Sequence, residues 1–69
     1  MEQLLQIFSD VLEIPKELID METKKEDLEQ WDSLSHIQLI LEVEQFYNVQ
    51  IPFEETVQIN KIGDFLKYI

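Results

Sequence analysis

The groups best placed to do chemistry in this chain gather at Asp32-Ser33-Leu34, with His36 one helical turn beyond the serine. The tripeptide lies where an irregular acidic stretch gives way to a strongly apolar helical pattern. That junction predicts a serine at a helix N-terminus, its hydroxyl facing solvent and a carboxylate beside it. The first N–H groups of a helix have no partner within it, and the helix dipole favours negative charge there. A serine so placed suits the attachment of a phosphate-linked group. For the tripeptide alone, an ordinary helix-capping serine is the competing reading. Asp32, Ser33 and His36 also invite comparison with a hydrolytic triad. Nothing in the sequence supplies an oxyanion hole or a walled pocket, and triads need fixed geometry more than closeness in sequence. His36 is therefore expected to be a partly buried or surface histidine.

Other chemistries are excluded by what is missing. The chain has no cysteine, so it has no disulfide and no thiolate zinc site. Any thiol it uses must arrive on something attached to it. Asp20-Met21-Glu22 lacks the ligand spacing and central glycine of a calcium loop, and no dedicated metal site is expected. Fifteen acidic residues stand against five basic ones, a formal net charge of −10. Such a field repels nucleic acid and anionic membrane surfaces and favours basic partners. No signal peptide is visible and no apolar run approaches the roughly 18 residues of a membrane span, which makes the cytoplasm the expected compartment. Sixty-nine residues make one domain, 1–69, with a small core and no room for a deep substrate cavity. The start at Met1 and the stop just after the last helix point to a free-standing chain.

The positioning elements follow from periodicity. Leu4, Leu5, Ile7, Phe8, Val11 and Leu12 recur at helical spacing, predicting a first helix from Glu2 to Leu12 that Pro15 ends. A turn of helix is expected at Lys16 to Ile19. Asp20 to Gln30 reads as a long loop, pinned to the core by Leu28 and Trp31. The strongest pattern runs from Ser33 to Tyr47 with Asp32 as its N-cap. At about 100° per residue, Leu39, Ile40, Val43, Phe46 and Tyr47 share one broad face, the expected core. Leu34, Ile37 and Leu41 form a second arc beside Ser33, separated from the first by Glu44. Core packing against the acidic loop is the competing reading for that arc, and a simple solvated face is the competing reading for Glu42 and Glu44. Asn48 to Ile51 reads as extended, Phe53 to Val57 as a short helix, and Asn60 as the N-cap of a final helix. Gly63 inside that last helix implies a close approach. No strand alternation is present, so the expected architecture is an all-α bundle of three long helices and one short.

With these elements in order, the chain resembles the acyl carrier protein family. The resemblance runs from the first helix to the last residue. Its centre is Asp32-Ser33-Leu34 followed by Ile37, Leu39, Ile40, Val43, Glu44 and Phe46-Tyr47. Val49-Gln50-Ile51-Pro52, Glu54-Glu55 and the closing Ile59, Ile62, Phe65, Leu66, Tyr68 and Ile69 complete it. The resemblance implies a four-helix carrier domain in which Ser33 bears 4′-phosphopantetheine, taken from coenzyme A by a phosphopantetheinyl transferase using magnesium. The arm's thiol would hold acyl or aminoacyl groups as thioesters, and the protein would catalyse nothing itself. Asp32 would lie near the metal during transfer. Leu34, Ile37 and Leu41, with Glu42 and Glu44 nearby, would dock on a basic surface of the loading ligase, synthase or acyltransferase, the carrier acting as a monomer. Trp31 replaces a small residue common in the family, Ser35 and Gln38 replace frequent acids, and Tyr47 replaces phenylalanine. These departures spare the attachment site and point to a specialised pathway of polyketide, nonribosomal or dedicated acyl-transfer type. Two other functions compete: an unmodified adaptor that keeps only the fold, and a small hydrolase using Ser33 and His36.

Overall fold

The leading helical pattern folds inward along a single stripe. In the computed structural model, which describes residues 2–69, α1 spans Glu2–Leu12, and Leu4, Phe8 and Leu12 are buried, as their four-residue spacing requires. Its stop comes before Pro15. Glu13 adopts the left-handed conformation at φ 58°, and the Ile14 N–H reaches back to the Ser9 carbonyl at 3.2 Å. This is a Schellman ending, completed by the buried Ile14 side chain. Pro15 then bars re-entry, and a 3-10 turn follows at Lys16–Leu18.

The acidic stretch holds more order than its composition predicts. Within it lies a 3-10 turn at Lys25–Asp27, and its backbone is stitched to the end of the chain. The Lys25 N–H donates to the Asn60 carbonyl at 2.7 Å, the Ile62 N–H to Thr23 at 3.0 Å and the Gly63 N–H to Met21 at 2.9 Å. Lys24 and Lys61 form an isolated antiparallel bridge, and no strand is present among the described residues. These long-range bonds have no local signature, because any backbone can make them. Gly63 does carry a signal. A Cβ there would lie 2.9 Å from the Met21 carbonyl oxygen, so the expected close approach is real, although it is made by the loop backbone. Trp31 is buried, and Leu28 packs against the core; both pin the loop as expected.

α2 spans Ser33–Tyr47. Leu39, Ile40 and Val43 are buried and Tyr47 is partly so. Phe46 departs from the expected core face and is 56% exposed. It lies at the edge of that arc, with its ring packed edge-on against Tyr47 at 4.9 Å. Asn48, expected to be extended, is instead a left-handed C-cap at φ 58°, with its N–H bonded to the Glu44 carbonyl; asparagine tolerates this conformation better than most residues.

After Pro52, α3 spans Phe53–Thr56. The final element corrects the reading of its type and its cap. It is a six-residue 3-10 segment, Ile62–Lys67, with Lys61 at the cap position. Asn60 does not cap it through its side chain. Asp64 reaches back to accept from the Asn60 and Lys61 N–H groups at 2.9 and 3.2 Å. Asp27 treats Lys24 in the same way at 3.2 Å, so the two joined segments start with the same Lys-x-x-Asp device. The fold is therefore an all-α bundle with two long helices, a short α3 and a 3-10 close. Phe8 sits at its centre, edge-on to Trp31 at 4.9 Å and to Phe65 at 5.6 Å. One aromatic cluster thus joins α1, the loop before Ser33 and the chain's end. No described helix is long and apolar enough to cross a membrane.

Candidate functional site

Ser33 is the first residue of α2 and is exposed. The turn that presents it is set by Asp32, whose backbone is extended and whose carboxylate accepts the Ser35 N–H at 2.9 Å. That bond, followed by one from the Ser35 side chain, holds the Asp32 carboxyl below its ordinary range. The first i to i−4 bond runs from the His36 N–H to the Asp32 carbonyl at 2.8 Å. Aspartate here caps the helix that begins at Ser33.

Around the serine the surface is apolar. Leu34 is 69% exposed, and Ile37 and Leu41 are each 58% exposed. Phe53 and Val57 extend this surface from the α3 side and are also exposed. Between α2 and α3 runs an open cleft of about 200 Å³ lined by His36, Ile37, Ile40, Leu41, Phe53 and Thr56. A neighbouring cleft of about 350 Å³ includes Ser33 itself, with Lys25, Phe53 and Val57 among its lining. Core packing is therefore the wrong account of the Leu34 arc. Phe53 and Val57 escaped the sequence reading, although their four-residue spacing after Pro52 was a usable signal. Lys25 left no such signal, because only the fold brings it to the serine.

The remaining site candidates separate. Glu42 is exposed and lines clefts shared with α1. Glu44 has an internal task, since its carboxylate accepts the Ile51 N–H at 2.8 Å and orders the chain leaving α2. His36 is buried more deeply than expected, at 8% exposure. Its Nδ1 accepts the Trp31 indole N–H at 2.9 Å, and its Nε2 lies 2.8 Å from the Thr56 carbonyl oxygen. An indole only donates, so the ring is neutral and Nε2 carries the proton. Burial pushes this imidazole below its ordinary pKa. The Thr56 bond opposes that shift, and the charge on Lys25 adds to it. With both nitrogens committed, His36 has no lone pair to offer Ser33 as a general base. Among the described residues no cluster of His, Cys, Asp or Glu could hold a metal ion.

Known proteins agree with a carrier better than with a catalyst. A family model described as a phosphopantetheine attachment site matches residues 2–69. The acyl carrier protein of Wolinella succinogenes is 34% identical over 71 residues, covering 91% of this chain and 92% of that protein. The acyl carrier protein of Clostridium acetobutylicum is 32% identical over 68 residues, 99% of this chain and 88% of the relative. Likeness sustained over nearly the full length places this chain in the acyl carrier protein family, as a carrier bearing covalent 4′-phosphopantetheine rather than as a catalyst.

Proposed function

We propose that residues 1–69 act as one carrier unit in which Ser33 is the attachment point and the exposed Leu34, Ile37 and Leu41 are the docking strip. The observation that carries this reading is the placement of Ser33: exposed, at the capped start of α2, at the mouth of apolar clefts. The residues present suit the group. A phosphodiester at Ser33 would meet the favourable end of the helix dipole, with Lys25 lining the same cleft. The clefts beyond are apolar enough to receive the uncharged part of the arm. Bound there, the arm supplies the thiol that this cysteine-free chain lacks, as a site for thioesters. Asp32, its carboxyl held below the ordinary range by its bond to Ser35, offers a carboxylate beside the hydroxyl for the magnesium that a phosphopantetheinyl transferase uses.

Docking divides into contact and steering. Leu34, Ile37 and Leu41 give apolar contact, and Glu42, with a lesser part for Glu44, favours a basic surface on a loading ligase, synthase or acyltransferase. Rim charges of this kind act on encounter rate and fade with salt. We place the carrier in the cytoplasm as a monomer serving a specialised acyl or aminoacyl pathway, because Ser35 and Gln38 leave the start of α2 less acidic than in general fatty-acid carriers.

Intact mass spectrometry tests this. Incubation with coenzyme A, magnesium and a promiscuous transferase is expected to add one phosphopantetheine, and Ser33→Ala to abolish the gain. An unmodified wild-type protein, under conditions that modify another carrier, would leave the adaptor reading in its place. The mass of the protein isolated from its native host would identify the cargo and hence the pathway.

A further inference from the structure

Hydrogen bonds hold α3 to the body more than apolar packing does. Of its four residues only Thr56 is buried, and Phe53 is exposed. Two side chains tie it down: His36 through the Thr56 carbonyl at 2.8 Å, and the Tyr68 hydroxyl, which donates to Glu55 at 2.6 Å. The Nε2–H can donate to Thr56 whether or not the ring is charged, but the seat of the ring against Trp31 requires it to be neutral. Nδ1 must be bare to accept the Trp31 indole N–H at 2.9 Å. A proton there would set two donors against each other inside a buried contact, with no acceptor for either.

We propose that Trp31 and His36, with the Thr56 carbonyl fixing the tautomer, form an acid-released clasp that holds the loop before Ser33 against α2 while the imidazole is neutral and frees the indole once Nδ1 is protonated. The surroundings of the ring support this. Lys25, from the loop, adds positive charge that opposes protonation in the closed form. On α2, the Asp32 carboxylate is turned to the Ser35 N–H. On α3, Glu55 is taken by Tyr68, and Glu54 is exposed. From α1, it is Phe8 that backs Trp31, an uncharged contact. No carboxylate bonded to the ring stands ready to compensate a second proton.

The sign follows from linkage. The closed form holds the ring below its ordinary value, and the open form restores it to about 6.5. The clasp is therefore at full strength above that value and weakens as pH falls below it. Where the ring charges only when open, the opened fraction at pH 5 is about 30-fold that at pH 8. Because Trp31 lies two residues before Ser33, release would loosen the backbone that leads into the attachment residue. That consequence rests on the carrier reading, whereas the clasp itself does not.

The test uses the unmodified protein, whose one tryptophan and one histidine give unambiguous signals. Exchange of the Trp31 indole N–H with water, corrected for the intrinsic pH dependence of exchange, is expected to report that rise of about 30-fold. His36 should titrate below its ordinary value in the same NMR series. His36→Gln, whose amide both accepts from the indole and donates to Thr56 without titrating, should give a flat profile. A flat wild-type profile would overturn the clasp without recourse to the variant, as would a Gln variant that opens with acid like the wild type. Phosphopantetheine gain at Ser33 is read separately by mass, so failure of the clasp and failure of the carrier reading are distinct results.

Discussion

The two apolar arcs of α2 are made of the same residue types and meet opposite fates. Leu39 and Val43 on one side are wholly buried against α1 and the aromatic cluster, while Leu34, Ile37 and Leu41 on the other lie mostly in solvent. Hydrophobicity alone does not distinguish them. The difference is what arrives to cover each arc. Phe8, Trp31 and Phe65, from three parts of the chain, share one buried core with the first. The second borders open clefts, one shared with the short α3 and one, at Leu41, shared with α1. Contiguous apolar surface left uncovered beside Ser33 is what supports the proposed docking strip.

The sharpest test of this contrast is Leu39→Ala. It should cost about 2–5 kcal/mol, comparable with the roughly 3–5 kcal/mol that a core of this size supplies. Circular dichroism should then show a chain largely unfolded at room temperature. Gly63→Ala probes whether the stitched loop belongs to the covered side. Its new methyl group meets the Met21 backbone, and urea titration should show a loss of about 1–3 kcal/mol. Asp32→Ala should lower Tm more modestly while shifting the amide resonances of Ser33 and Ser35. Because the Asp32 carboxyl is held low in the folded state, its contribution is complete above the ordinary carboxylate range and is lost as pH falls through the folded value. An NMR midpoint for Asp32 at or above the ordinary value would contradict the cap. Smallest of all is Leu34→Ala, expected to change stability by less than about 0.5 kcal/mol while slowing transfer of cargo to a partner enzyme. Destabilisation on the scale of Leu39→Ala would erase the distinction between the arcs. Added salt should raise Tm on either account, by damping the self-repulsion of a −10 chain.

Much of the site was legible locally. Asp32 as N-cap, Ser33 at the helix start and the Leu34 arc follow from residue type and a 3.6-residue period, which need no tertiary partner. Trp31 as an anchor was legible too, since a lone tryptophan in an acidic stretch has few other places to go. The clasp was not. Trp31 and His36 are five residues apart, yet their bond depends on a loop bend, and the Thr56 carbonyl that completes it has no sequence identity at all. Phe46 was misplaced because the edge of a helical arc is decided by the neighbour, not by the period.

Composition and pattern by themselves determined an acidic, cysteine-free, all-helical domain with a serine at the head of its longest helix. Those properties are local, set by capping, periodicity and charge. Tertiary structure alone decided which arc of that helix stayed open, brought Lys25 to the serine and built the histidine into a hydrogen-bonded tie. Each of these depends on groups far apart in the chain meeting at one place, and backbone carbonyls and packing neighbours leave no mark in the order of residues.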